Sequence, residues 1–286
     1  MRAIIDCDAL REAMAQEMER DDKVFVYGIG VPDHKAVFGS TAGLLERFGE
    51  KRCFDTPLSE DAMTGFGLGA ALNGMRPIHV HIRIDFMLLA FNQIANMLSS
   101  FNYSSCGQLK VPMVIRGIIG RGWGQGFQHS KSMYSTFAHI PGVKVALPTT
   151  AYDAKGLLIA AIRDDNPVIF IEHRWLYLQK EEVPEEPYVL PFGKGNILRQ
   201  GADVTIVATS WMNVEAIFAA EILSKSGVSV EIIDPRTIVP LDEDLICASV
   251  EKTGRCIVVD NDWEFCGFSA EAAARISTRC FGKLKM

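Results

Sequence analysis

The sequence predicts an α/β fold of two domains, the larger built on a mainly parallel sheet, and three observations lead there. Helical and strand patterns alternate from Leu10 to residue 171, which is the order that produces parallel strands with helical crossovers. The stretch Glu181-Glu-Val-Pro-Glu-Glu-Pro187 has no apolar periodicity and breaks the pattern with two prolines. The alternation then restarts, and 286 residues at 48% hydrophobic suffice for two cores.

In order, Leu10 to Arg20 reads as a helix, and Val24-Phe-Val-Tyr27 as a buried strand that runs into the loop Gly28-Ile-Gly30. A helix over 60–73, a strand over 77–82, a helix over 87–100 and a strand over 112–116 follow. A helix over 152–164 and a strand over 167–171 complete a first domain at 1–178, with 179–200 as linker. The second domain, 201–286, has strands at Val204–Ala208, Val228–Ile233 and Cys256–Val259 and a helix from Trp211 to Ser226.

Composition excludes several functions. The net charge of −6 is spread along the chain, and no basic run interleaves with aromatics, so a nucleic-acid partner is not expected. No apolar stretch approaches the ~18 residues of a membrane span, and the chain reads as cytoplasmic. Seven cysteines without a Cys-x-x-Cys pair predict reduced thiols, with Cys256 as a small core residue.

The segment from Phe54 to Gly74 is the most informative. Ser59-Glu60-Asp61 stands at the mouth of an apolar helix carrying Gly65, Gly67 and Gly69, each of which costs roughly 1 kcal/mol relative to alanine. Such a helix has something that approaches it closely, or it is an ordinary helix with Ser59 as N-cap and two acids on its positive end.

Phe38-Gly-Ser-Thr-Ala-Gly-Leu-Leu-Glu-Arg-Phe48 running on to Glu60, Asp85-Phe86 with Asn92-Gln93-Ile94, and Gln128-His129-Ser130 carry a resemblance. So do Phe137-Ala-His-Ile-Pro-Gly-Val-Lys-Val145, Ile162-Arg-Asp-Asp-Asn-Pro-Val168 and Asp234-Pro-Arg-Thr-Ile-Val-Pro-Leu-Asp242. From about Leu10 to Ile276 the chain resembles the β subunit of the thiamine-diphosphate-dependent 2-oxo acid dehydrogenases, in the wider transketolase-like family. That implies a pyrimidine-binding domain followed by a smaller transketolase C-terminal-like domain. Relatives usually continue some tens of residues past a point like Ile276, whereas this chain stops at Met286, which leaves its last strand and helix open to truncation or replacement.

The resemblance also assigns residues. Glu60 falls where a carboxyl, hydrogen-bonded to the aminopyrimidine, favours the tautomer that takes the proton from the thiazolium C2. Phe86 falls where an aromatic ring stacks on that pyrimidine, unless it is a plain core residue. His129, in a glycine-rich loop after a strand, suits proton traffic with the substrate carbonyl or the acyl acceptor. His139 reads as a helix-end residue. The turn Ala161-Ile162-Arg-Asp164-Asp-Asn166-Pro167, with the Met113 carbonyl, resembles the family's potassium site, or is ordinary capped-turn chemistry.

The chain also departs from the family. It has no Gly-Asp-Gly sequence to hold Mg²⁺ and a diphosphate, so those ligands are expected on a separate α subunit. Where relatives carry an acid after the first strand, this chain has Gly28-Ile-Gly30-Val-Pro-Asp33, and whether Asp33 substitutes stays open. His79, His81, Arg83 and Asp85 replace an acid and an aromatic near the second strand, and alternation puts all four on one face. They form a polar cluster on the substrate side, or Arg83 and Asp85 simply close a salt bridge.

These readings imply a β subunit, active with an α subunit as α₂β₂, that oxidatively decarboxylates a pyruvate-like or acetoin-like substrate and passes the acyl unit to a lipoyl group on an acyltransferase. A split transketolase-like enzyme moving a two-carbon unit from a ketose or its phosphate is the second reading, motivated by Arg83, His79 and His81. A non-catalytic scaffold for an α subunit is the third.

Overall fold

The computed structural model describes residues 1–285. The larger sheet has seven strands in the order Thr237–Val239, Lys144–Ala146, Val168–His173, Val114–Ile119, Arg76–His81, Val24–Gly28 and Cys53–Phe54. All but the first of these run parallel to their neighbours. The central strands are buried along their whole length, as expected where helices cover both faces. The smaller sheet sets Cys256–Val259, Val204–Ala208 and Val230–Asp234 in parallel, and Asn196–Arg199 closes its edge antiparallel.

Two features depart from the expected division. Lys180–Val183, inside the stretch read as linker, pairs antiparallel with the N-terminal strand Arg2–Ile5. Thr237–Val239, from the second half of the chain, joins the edge of the first sheet beside Lys144–Ala146. Both are short pieces whose partners are distant in sequence, so local pattern carries no signal for them. The two sheets also share one apolar core, in which Val207, Ile233 and Ile246 lie in the same cluster as Ile84, Met87 and Ile115.

The helix expected over 87–100 is a succession of tighter and wider turns. A 3₁₀ helix runs over Ile84–Ala90 and a π-helix over Gln93–Leu98. Both are uncommon at this length, and they re-aim the chain directly after the strand Arg76–His81. No helix among the described residues is long and apolar enough to cross a membrane. All seven cysteines are free; Cys256, expected in the core, is half-buried.

The helix Asp6–Arg20 begins on a buried acid. Burial, reinforced by the Glu172 carboxylate, pushes Asp6 up to about 8 from an unfolded value near 4. The folded state therefore holds a proton that the unfolded chain gives up. The stability linked to it is complete below about pH 4 and is lost as pH rises through about 8. Asp6→Asn, neutral at every pH, is expected to match the wild type near pH 4 and to exceed it by up to about 4 kcal/mol at pH 7. Urea unfolding of both proteins across pH 4–9 measures this, and parallel curves would refute it.

Candidate active site

One cavity of about 310 Å³ brings together Glu60, His79, His81, Arg83, Phe86 and His129, all singled out in the sequence. It opens beyond the C-terminal ends of parallel strands, where ligands bind in open α/β sheets. Three kinds of element furnish it. Glu60 is the first residue of the helix Glu60–Leu72, His79 and His81 end the strand Arg76–His81, and Phe86 lies on the 3₁₀ helix that follows. His129 closes a short 3₁₀ turn, Phe127–His129, in the glycine-rich loop.

Glu60 is half-buried, and its carboxyl makes no hydrogen bond or ion pair among the described residues. Ser59 precedes it but makes no side-chain capping bond, so the helix start is not the serine-capped one its sequence suggests. Glu60 and Asp61 in the first turn do complement the positive end of the helix. The Phe86 ring stands edge-on to the His129 ring, centroids 5.2 Å apart, and His129 Nδ1 is buried without a partner.

The two strand histidines adjoin each other, and one of them stacks on Tyr27. His79 lies 4.4 Å from Tyr27, nearly parallel, and 4.2 Å from His81. Thr64 Oγ1 is 3.3 Å from His79 Nδ1, and the Tyr27 hydroxyl donates to the Met63 carbonyl at 2.9 Å. Burial holds both imidazoles in the neutral form: His81 is pushed down to about 4, and His79 is lowered by burial and then by His81. His81 Nε2 has no partner and is free for a ligand.

Arg83 and Asp85 do not pair. The strand ends at His81, and the following bend and 3₁₀ turn carry Asp85 to Lys131, 3.5 Å away. Arg83 is 1% exposed and donates through Nη2 to the Gln125 side chain, leaving Nε and Nη1 without partners. Burial and the nearby Arg174 lower its proton affinity.

Other sequence candidates lie elsewhere. Asp33 turns its own loop, accepting from the Lys35 and Ala36 backbone N–H groups, and Gly30 N–H is held by Asp55. His139 caps the short helix Tyr134–Ala138, as expected. The turn at Asp164 and Asn166 receives protein cations: Arg76 donates to the carbonyls of Ile162 and Asp164, and Lys144 pairs with the Asp164 carboxylate. The Ala161 carbonyl accepts from Asp164 N–H and the Met113 carbonyl from Val168 N–H. Several of the oxygens considered for potassium thus already accept from donors of the chain itself. Tyr27 and Gln125, which position His79 and Arg83, were missed. Tyr27 looks like core in a buried strand, whereas Gln125 stands between two glycines in a loop already suspect.

Of the three helix glycines, only Gly67 is sterically required. A Cβ there would meet the Tyr27 hydroxyl at 2.0 Å and Met113 Cε at 2.7 Å, whereas Gly69 faces open space. Gly67→Ala is expected to cost about 1–3 kcal/mol and to disturb the Tyr27–His79 stack. Gly69→Ala is expected to gain about 0.5–1 kcal/mol. Thermal unfolding of the two variants separates them, and equal shifts would contradict this packing.

The cavity suits one end of thiamine diphosphate. It offers an unpartnered carboxyl, an aromatic wall and neutral imidazoles, but no acidic cluster for a divalent ion, and no group of three metal-ligating side chains exists among the described residues.

Comparison with known proteins identifies the family. The family described as "Transketolase, pyrimidine binding domain" matches residues 7–179, and "Transketolase, C-terminal domain" matches residues 193–286. The acetoin:2,6-dichlorophenolindophenol oxidoreductase subunit beta of Cupriavidus necator is 46% identical over 97% of this chain and 85% of its own length. The pyruvate dehydrogenase E1 component subunit beta of Rickettsia felis is 44% identical with the same coverage, and the 2-oxoisovalerate dehydrogenase subunit beta of Bacillus subtilis is 44% identical over 96% and 84%. A split gene transketolase, solved as an inactive β4 tetramer, matches at a TM-score of 0.78 and 21% identity over 96% of this chain and 85% of that one, a likeness of fold. With its two domains matched in order and these relatives aligned over almost all its length, the chain belongs to the transketolase-like family, among the β subunits of the 2-oxo acid dehydrogenases.

Proposed function

We propose that the chain is the β subunit of a two-subunit, thiamine-diphosphate-dependent enzyme that oxidatively decarboxylates a 2-oxo acid and passes the acyl unit to a lipoyl group. The observation that carries this reading is the convergence of Glu60, Phe86 and His129, from three separate elements, on one cavity. The bound cofactor supplies a carbon nucleophile that accepts the electrons released by decarboxylation.

The chain's own groups then have distinct tasks. Glu60 would hold the aminopyrimidine through a hydrogen bond to its ring nitrogen, which a carboxyl without an internal partner is free to make. Phe86 would pack against that ring as an aromatic wall. His129, with Nδ1 unpaired, moves a proton at the substrate side of the cavity. His79 and His81 stay neutral there and line the wall without adding charge.

The diphosphate and its Mg²⁺ belong on an α subunit in an α₂β₂ assembly, because the sequence lacks Gly-Asp-Gly and the described residues hold no cluster of metal ligands for the ion. Leu58 in the cavity lining is 81% exposed and Phe127 in the His129 loop 78%, which favours a partner lying over this mouth. Calorimetric titration tests the division: the chain alone is expected to bind thiamine diphosphate and Mg²⁺ at least 100-fold more weakly than the α–β mixture. Micromolar binding without a partner would overturn the two-subunit reading.

A further inference from the structure

We propose that Arg83 holds an anionic group of the acyl donor, a carboxylate or a phosphate, and so selects charged over neutral donors. The inference deepens the function proposed above and rests on that reading of the cavity.

The argument begins with the burial of the guanidinium. Arg83 is 1% exposed and lines the cavity, and no carboxylate pairs with it among the described residues. Its Nε and Nη1 are buried without a hydrogen bond. A buried guanidinium in that state is costly unless something compensates it. The faces of Phe38 and Trp123, each 5.7 Å from the guanidinium carbon, compensate part of the cost. The same two rings carry a second cation, Arg174, at 3.8 and 4.5 Å, so the neighbourhood is more positive still.

The nearest acid offsets the charge only through space, because Asp85 makes no bond to Arg83 and faces Lys131. What does meet Arg83 is the neutral carbonyl of the Gln125 side chain. Gln125 stands in an exposed loop between Gly124 and Gly126, both with positive φ, so its amide is a partner that an entering oxyanion can replace. Phe38, which backs the guanidinium, has a φ of +59° and follows Ala36 and Val37 at +44° and +48°. Three non-glycine residues in the left-handed region form a strained strap, and such strain is commonly kept where a side chain must be placed for function. Carboxylates and phosphates share the chemistry that a guanidinium recognises, and the experiment separates them.

The first measurement uses the full chain without cofactor or partner. Tryptophan fluorescence, to which Trp123 contributes beside Arg83, is followed during titration with inorganic phosphate and with malonate at fixed ionic strength. Saturable binding is expected, about 10- to 100-fold weaker in Arg83→Met and partly restored in Arg83→Lys. The tighter of the two ions identifies the class of donor. The second measurement takes kcat/KM of the α–β complex for acetoin as a neutral donor, pyruvate as a carboxylate and a ketose phosphate. Arg83→Met is expected to lower the ratio of anionic to neutral donor about 10- to 100-fold. Absence of saturable anion binding by the wild type, binding that Arg83→Met leaves intact, or a loss of cofactor affinity matching the loss of donor affinity overturns the proposal. Arg83-dependent anion binding in a complex without turnover supports the anion site and removes the proposed function instead.

Discussion

Glu60→Gln is expected to slow hydrogen exchange at the thiazolium carbon of bound cofactor by about 10³-fold in the α–β complex, equivalent to ~4 kcal/mol of lost transition-state stabilisation. The amide keeps the size and a hydrogen-bonding capacity of the carboxyl, so folding and most cofactor affinity should survive. It cannot share a proton with a ring nitrogen, which is the property the proposed role requires. The position favours a specific effect, since Glu60 begins its helix at the edge of the cavity with no protein partner to satisfy. His129→Ala is the control. Its imidazole stands edge-on to the Phe86 ring and is assigned to the substrate, so exchange should stay near the wild-type rate while turnover falls. Wild-type exchange in Glu60→Gln, or the same failure in both variants, would refute this division of labour.

The largest effect on stability is expected at Glu172. Arg116 and Glu172 form a fully buried ion pair between neighbouring strands, with Arg116 Nη2 donating to Glu172 Oε2 at 2.7 Å and to Ser40 Oγ at 3.0 Å. The Tyr177 hydroxyl donates to the same carboxylate. Glu172→Ala leaves the guanidinium buried and unpaired, which costs about 3–5 kcal/mol. Replacing both partners, as in Arg116→Met with Glu172→Leu, should recover most of that, because the desolvation of two charges then disappears together. Urea unfolding of the two single variants and the double one measures the coupling. A double variant as unstable as the sum of the singles would show that the pair acts through packing instead of charge.

How far the sequence could be read follows from where its signals are local. The strands Val24–Gly28 and Val204–Ala208 stand where apolar runs place them, because a strand buried on both faces needs little but such a run. Glu60 was legible as the first residue of its helix, and Phe86 and His129 were legible through the resemblance; all three line the cavity. The pairing of Arg83 was not. Strand alternation carried to Asp85 runs four residues beyond the strand, where the chain has already entered a 3₁₀ helix that turns Asp85 toward Lys131. Nor were the contacts of Arg76 at the Asp164 turn legible, since Arg76 lies more than eighty residues earlier in the chain than the carbonyls it reaches. Contacts of that kind are visible only once the sheet has brought its strands together.

The strand Thr237–Val239, laid along the first sheet, also has a consequence for biosynthesis. A ribosome delivers the chain from its N-terminus, and domains ordinarily fold as they emerge. Here the strand Lys144–Ala146 must wait with one edge bare until residues nearly a hundred positions later have been made. During that interval the nascent sheet presents unpaired backbone groups to any other extended segment. The first half of the chain is therefore a translation intermediate that needs shelter, and cutting the gene at the boundary between the two family domains would make that exposed state permanent.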